Sequence, residues 1–161
     1  MKVMSFNCRG LARPQKKAAL RRIIFVDGPD IILLQETLGV GTVVKARLEG
    51  WLPGWSFESL DARGRSSGLA VGWKDRTIKS QNLWGMESVL GLNFLSLELG
   101  ETFNIFNIYG PYQDRIPFWD SLLGNSLLKS DSLILGGDMN FTLGQSEVWG
   151  PHAQIDTLTG Y

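Results

Sequence analysis

The stretch Leu133–Phe141 reads Leu-Ile-Leu-Gly-Gly-Asp-Met-Asn-Phe, and its interpretation decides the fold. Three apolar residues read as the end of a buried strand. Two glycines remove side chains where the strand runs out, and Asp138 and Asn140 then arrive two residues apart. On an extended backbone, side chains at i and i+2 point the same way, so a carboxylate and an amide are expected to be aimed together beyond the strand end. Such a pair suits holding and deprotonating a water, with the amide as orienter. An Asp/Asn turn after a strand accounts for the same residues without chemistry. The choice rests on whether the rest of the chain supplies partners.

Working back from this stretch, Ile116–Leu128 carries Phe118, Leu122, Leu123, Leu127 and Leu128 at helical spacing, with Pro117 near its start. Gly110-Pro111 breaks the chain before it. Thr102–Tyr109 alternates, as does Leu92–Leu99 with Leu95, Leu97 and Leu99 on one face. The Gly100-Glu101 pair between them predicts a two-residue hairpin turn. Ile78–Val89 fits no single period. Leu69–Trp73 and Trp55–Leu60 read as short strands around a polar loop at Asp61–Gly68, and Val43–Glu49 as a short helix. Ile31–Leu34 is a continuous apolar run, as expected of a strand covered on both faces, and it ends at Gln35-Glu36. A helix is predicted from Pro14, with Leu20, Ile23 and Ile24 on its apolar face, and Asp27-Gly28-Pro29 stops it. Lys2–Asn7 is a first strand, left through Cys8-Arg9-Gly10.

The 161 residues are one domain's worth of chain, and 43% hydrophobic with 11% aromatic content fits an ordinary globular class with a real core. Charge balances, with 16 Lys+Arg against 16 Asp+Glu, so the total points to no partner. Its distribution is uneven. Arg9, Arg13, Lys16, Lys17, Arg21 and Arg22 fall in one stretch free of acids, and no Lys or Arg follows Lys129. A single cysteine, Cys8, excludes an internal disulfide, fits a reducing compartment, and reads as a small buried residue rather than a reactive thiol. No signal peptide and no run long enough for a membrane span is evident, so an intracellular protein without membrane contact is expected. The six Trp are assigned to core and interface.

Strands and helices interleave at both ends of the chain around a hairpin-rich middle, which predicts an α/β (α+β) mixed sheet with packed helices. Such sheets place ligands beyond strand ends. Asn7, Glu36, Tyr109 and Asp138 each fall at the end of a separate predicted strand, and that recurrence is the reason to expect a shared site. Each has a plain alternative. Glu36 could be a strand-end charge reaching solvent, Asn7 a turn cap, and Tyr109 a core edge with its hydroxyl in water.

Four motifs stand in order: Ser5-Phe6-Asn7-Cys8-Arg9-Gly10, Leu34-Gln35-Glu36-Thr37, Ile108-Tyr109-Gly110-Pro111 and Gly137-Asp138-Met139-Asn140. Together they resemble the endonuclease/exonuclease/phosphatase family, and within it the apurinic/apyrimidinic-endonuclease-like endonuclease of plant non-LTR retrotransposons. The resemblance implies a four-layer sandwich, with helices outside two stacked sheets, and a phosphodiesterase using Mg2+ (or Mn2+). Glu36 is then the metal-binding carboxylate, a residue type suited to a hard cation, with Asn7 helping to hold the metal or its water. Asp138 activates the attacking water, Asn140 orients Asp138 or the phosphate, and Tyr109 hydrogen-bonds a phosphate oxygen. DNA is the implied partner. Arg9, leaving the site directly after Asn7, is the expected backbone-phosphate contact, while the basic residues of the following helix read as a solvated face. A DNA substrate implies a nuclear location.

The pattern departs from the family at its end. The family's second half carries a further catalytic Asp and a Ser-Asp-His motif. The only histidine in this sequence is His152, in Gly150-Pro151-His152-Ala153, which lacks the Ser-Asp and stands too near Asp138 to match; it reads as a loop residue. The expectation is therefore a single domain over residues 1–161 that holds the N-terminal two-thirds of the sandwich, with an incomplete second sheet. Exposed apolar surface would then invite a partner or self-association. Activity is expected to be weak or absent, since losing a principal catalytic group costs orders of magnitude in rate. The alternative is a non-catalytic retroelement-derived remnant that at most binds metal or nucleic acid.

Overall fold

The computed structural model of the chain describes residues 1–62, 67–142, 144–147 and 156. It contains β1 (Val3–Asn7), α1 (Pro14–Asp27), β2 (Ile31–Gln35), α2 (Gly41–Trp51), β3 (Trp55–Leu60), β4 (Leu69–Lys74), β5 (Ile78–Met86), β6 (Val89–Ser96), β7 (Thr102–Tyr109), α3 (Arg115–Leu123) and β8 (Leu133–Asp138). One sheet runs β1-β2-β4-β3 and the other β5-β6-β7-β8. In each, one parallel pair joins strands linked through a helix, β1 with β2 and β7 with β8, and the remaining pairs are antiparallel.

The alternation of side chains along the strands builds four layers. In β2, every residue is buried. Ile32 and Leu34 pack with Leu20 and Ile24 of α1 and Val44 and Leu48 of α2. Ile31 and Leu33 face the other way, into a core shared with Leu90, Leu92 and Phe94 of β6 and Ile105 and Tyr109 of β7. On the far side of the second sheet, Val89, Phe106 and Ile108 meet Trp119 and Leu122 of α3. The order is therefore helices, sheet, sheet, helix, the four-layer sandwich that the motifs imply.

Local chemistry sets most boundaries. Pro14 opens α1, where its missing N–H is no loss, and Gly28 closes it in the left-handed conformation, donating its N–H to Ile24 O. The helix α2 extends two residues beyond the expected Val43–Glu49 at each end. Its Gly41 N–H finds Asp61 Oδ1 at 2.7 Å, so a carboxylate twenty residues downstream satisfies a free amide of its first turn.

Several expectations are corrected. The stretch over Ile78–Val89 is strand β5 followed by the start of β6. It shows no period because β5 is an outer strand of its sheet, exposed along most of its length, with a register shift between Ser80 and Asn82. The β6–β7 hairpin forms, but Ser96 N–H bonds Glu101 O and the connection is longer than the two-residue turn. In β6, Leu90, Leu92 and Phe94 face the inter-sheet core and Val89 is buried on the opposite side, so both faces are covered at its start, while Leu97 and Leu99 lie past the strand, exposed, and share no strand face with Leu95. The long helix before β8 stops at Leu123, capped by Gly124, and a 3-10 turn follows over Ser126–Lys129. The strand β8 is half-buried rather than buried, with Leu135 exposed. The loop over Asp61–Gly68 is described only at Asp61, Ala62, Ser67 and Gly68, and His152 lies outside the described residues.

Candidate active site

Asn7, Tyr109 and Asp138 are the last residues of β1, β7 and β8, and Glu36 follows the last residue of β2. The parallel pairings β1–β2 and β7–β8 bring the ends of each pair to one edge of their sheet, in register at Asn7↔Gln35 and Tyr109↔Asp138. Hydrogen bonds then stitch the two edges together. Asn7 Nδ2 donates to Glu36 Oε1 at 2.7 Å and, across the gap between sheets, to Asp138 Oδ2 at 2.9 Å. Tyr109 hydroxyl, from the second sheet, donates to Glu36 Oε1 at 3.2 Å. Residues separated by up to 131 positions in sequence thus converge on one amide nitrogen.

Asn140 joins by a different route from the one expected. Extended backbone ends at Asp138, and Asn140 takes a left-handed conformation with φ 51°. Its backbone N–H, not its side chain, bonds Asp138 Oδ1 at 3.2 Å, while its amide donates to Gly110 O at 2.6 Å. Left-handed backbone also occurs at Arg9, φ 45°, and Glu36, φ 54°. Three of the five non-glycine residues with positive φ among the described residues therefore flank this site. Outside Asn and Asp such a conformation costs roughly 1–2 kcal/mol, and it persists where surrounding structure over-determines it. The Gly137 position is more restrictive still. At φ +140° a Cβ would lie 1.9 Å from Ile108 O, so only glycine lets β8 approach β7 there.

Tyr109 has its ring in the inter-sheet core and its hydroxyl on Glu36, so neither water nor the core alone describes its setting. Burial first, then a hydrogen bond with Tyr112, push its phenol up to about 12. Burial likewise raises the Cys8 thiol to about 11. Cys8 is fully enclosed, with Sγ donating to Gln35 O at 2.9 Å, consistent with a packing role. Arg9 is exposed. Its N–H fixes Asn7 Oδ1 at 3.2 Å, and its side chain lines a groove with Arg13, Lys16 and Leu38. Lys16 Nζ is tied back to Cys8 O at 2.8 Å.

Three neighbours of the candidate site were not visible in the sequence. Gln35 and Asn107 form a buried polar bridge between the sheets directly behind Glu36 and Tyr109. Gln35 Nε2 donates to Asn107 Oδ1 at 2.7 Å and to Ser5 Oγ at 3.2 Å, and Asn107 Nδ2 donates to the carbonyls of Leu34 and Ala70, each at 3.0 Å. The third is Arg115, whose guanidinium bonds Asn140 O at 2.8 Å and pairs with Asp156, holding the segment that carries Asn140. An amide at the inward position between Ile105 and Tyr109 was the one available hint.

The donor set suits a hard cation. Two carboxylates, Glu36 and Asp138, converge, and the partner lodged between them is the positive end of an amide, where a cation's charge would be accommodated. Among the described residues no group of three or more His, Cys, Asp and Glu forms. Magnesium commonly takes one or two carboxylates, with waters and substrate phosphate completing its octahedron, so the pair is sufficient.

Residues 4–156 match the model of the Endonuclease/Exonuclease/phosphatase family. Solved structures share the fold at low identity. A mannosyl-6-phosphatase of Bacteroides thetaiotaomicron aligns with TM-score 0.68 and 16% identity over 89% of this chain and 67% of its own. The human Nocturnin catalytic domain with bound sulfate aligns with TM-score 0.65 and 17% identity over 87% of this chain and 64% of its own. The Xenopus laevis APE2 catalytic domain aligns with TM-score 0.67 and 18% identity over 94% of this chain and 62% of its own. The chain thus spans about two thirds of the length of the structures it matches. Among curated proteins none matches it.

Proposed function

The chain belongs to the endonuclease/exonuclease/phosphatase family, and from that premise we propose that it is a metal-dependent phosphodiesterase-type domain directed at DNA. The observation that carries the reading is the single nitrogen of Asn7, shared by carboxylates from two different sheets. DNA is favoured by the motif-level likeness to the endonucleases of non-LTR retrotransposons and by the cationic groove that Arg9 lines. One of the solved structures sharing the fold is Danio rerio TDP2 complexed with a single-strand DNA product.

In this reading Glu36 would hold the divalent cation, Mg2+ or Mn2+, with Asn7 helping to hold the metal or its water and Asp138 facing them across the Asn7 amide. When bound, that ion offsets the charge developing on the phosphate oxygens. Asp138 accepts a proton from the attacking water through the lone pairs that its bonds to Asn7 and to the Asn140 N–H leave free. Asn7 and Asn140 keep that carboxylate in place. Tyr109, held protonated by its raised pKa, has one proton to give, and a phosphate oxygen beside Glu36 competes for it. The second reading is a protein that binds metal and nucleic acid without cleaving. Exposed apolar side chains such as Leu123 and Leu135 support self-association or a partner as a further proposal.

The test is incubation of the full chain with supercoiled plasmid in magnesium or in chelator. Nicking that requires magnesium and disappears in Glu36→Ala supports the enzyme. Absence of nicking while magnesium still stabilises the wild type, but not Glu36→Ala, against heat supports the binding-only reading. Neither nicking nor stabilisation refutes both. Arg9→Ala is expected to weaken DNA binding and flatten its salt dependence. Binding unchanged across a salt titration removes Arg9 from the interface.

A further inference from the structure

We infer that Tyr112 is a stacking platform for an unpaired nucleobase attached to the phosphate at the candidate site, so that the preferred substrate is a nucleic-acid strand rather than a small phosphate ester. This rests on the phosphodiesterase reading above. Tyr112 lies three residues past Tyr109 and is 72% exposed, an unusual state for an aromatic ring so close to a buried, hydrogen-bonded site. Its ring stands edge-on to Tyr109 at 6.4 Å between centroids, 78° between planes. That edge-to-face contact with Tyr109 sets the direction of the exposed ring. Pro111 and Gln113 complete a shallow depression of about 300 Å3 with Tyr109 and Tyr112, at the small end of the range for ligand clefts, roughly 300–1,000 Å3.

The depression has the parts that a base needs. It offers a flat aromatic face, an apolar proline wall, and in Gln113 one amide able to donate and accept at a base edge. Its shared wall is Tyr109, whose hydroxyl reaches Glu36, so the depression opens one ring away from the converging carboxylates. A sugar joins phosphate and base over a comparable span. The groove lined by Arg9, Arg13 and Lys16 leaves the site from β1 rather than β7, which places phosphate contact and base contact on different strand ends. A small ester would leave Tyr112 without a partner.

The experiment is fluorescence anisotropy of a labelled single-stranded oligodeoxynucleotide and of the same strand with tetrahydrofuran abasic residues, in chelator to prevent cleavage. Both strands carry identical phosphates. The wild type is expected to bind the base-bearing strand about 5- to 150-fold more tightly, the range of one stacked base. Tyr112→Ala should remove that preference while leaving abasic binding unchanged. Tyr112→Phe and Tyr112→Trp should retain most of it. Equal binding of both strands by the wild type, no binding of either, or a preference undiminished in Tyr112→Ala would each overturn the inference. Plasmid nicking by the same preparations keeps the two ideas apart. Magnesium-dependent nicking without a base preference leaves the phosphodiesterase standing and removes the platform. A Tyr112-dependent preference without nicking does the reverse.

Discussion

Replacing Asn107 by leucine tests whether the two sheets are held in relation to one another by the buried bridge behind the site. Asn107 is fully buried and engages three partners, accepting from Gln35 Nε2 at 2.7 Å and donating to the carbonyls of Leu34 and Ala70 at 3.0 Å. Leucine is close in shape but can make none of these bonds. Leaving a buried polar group without its partner costs about 1–3 kcal/mol. Gln35 keeps its bond to Ser5, and the carbonyls sit on paired strands, so the low end applies to each of the three groups. The expected loss is roughly 3 kcal/mol, a large fraction of the 5–15 kcal/mol typical of a domain. It is measured as a shift in the urea unfolding curve followed by tryptophan fluorescence. The double variant Asn107→Leu/Gln35→Leu should lose less than the sum of the two single changes, because removing both partners leaves no stranded amide. A loss under about 1 kcal/mol for Asn107→Leu, or strict additivity in the double variant, would show that the bridge does not hold the sheets as described.

Three further outcomes are expected. Stability should decline as pH rises from 9 towards 12. In the unfolded chain Cys8 and Tyr109 titrate near 9 and 10, but in the fold near 11 and 12, so the native state binds more protons in that window and is disfavoured as they leave. Tyr109→Phe should remove the decline between pH 11 and 12 and lessen it between 10 and 11, where Cys8 still contributes, and an unchanged profile in equilibrium unfolding would contradict it. The Cys8 thiol should resist iodoacetamide at pH 8 in the native protein and react once unfolded; labelling at the rate of a free thiol would mean that β1 does not enclose it. Finally, Gly137→Ala should cost about 3 kcal/mol or more, because its Cβ would strike Ile108 O. A denaturation midpoint equal to that of the parent would refute the close approach of β8 to β7.

The parts of the site that could be read from sequence share a physical signature. A buried strand is an apolar run, and a functional strand end is the polar residue that terminates it. Val3–Asn7, Ile31–Gln35 and Leu133–Asp138 carry that signature, Thr102–Tyr109 alternates and ends on Tyr109, and the structure brings the four ends together. What was misread lacks it. The strand β5 is exposed on an outer edge, so burial imposed no alternation on its residues. The limits of α2 depend on Asp61, and the direction of the Asn140 amide depends on Gly110, both remote in sequence. Asn107 looked like an ordinary polar residue of an alternating strand until its face proved to be the one turned to the other sheet.

Composition and periodicity by themselves determined that apolar faces would form strands and helices, where most of these begin and end, and which polar residues stand at the ends. They do so because local burial and backbone preference act over a few residues at a time. Only the tertiary structure decided that Asn7 and Asp138 share a hydrogen bond, that the Tyr109 hydroxyl donates a hydrogen bond to Glu36, and that Gln35 and Asn107 bridge the layers. Those facts follow from how two twisted sheets stack, and a contact across 131 residues leaves no trace in the local pattern of either partner.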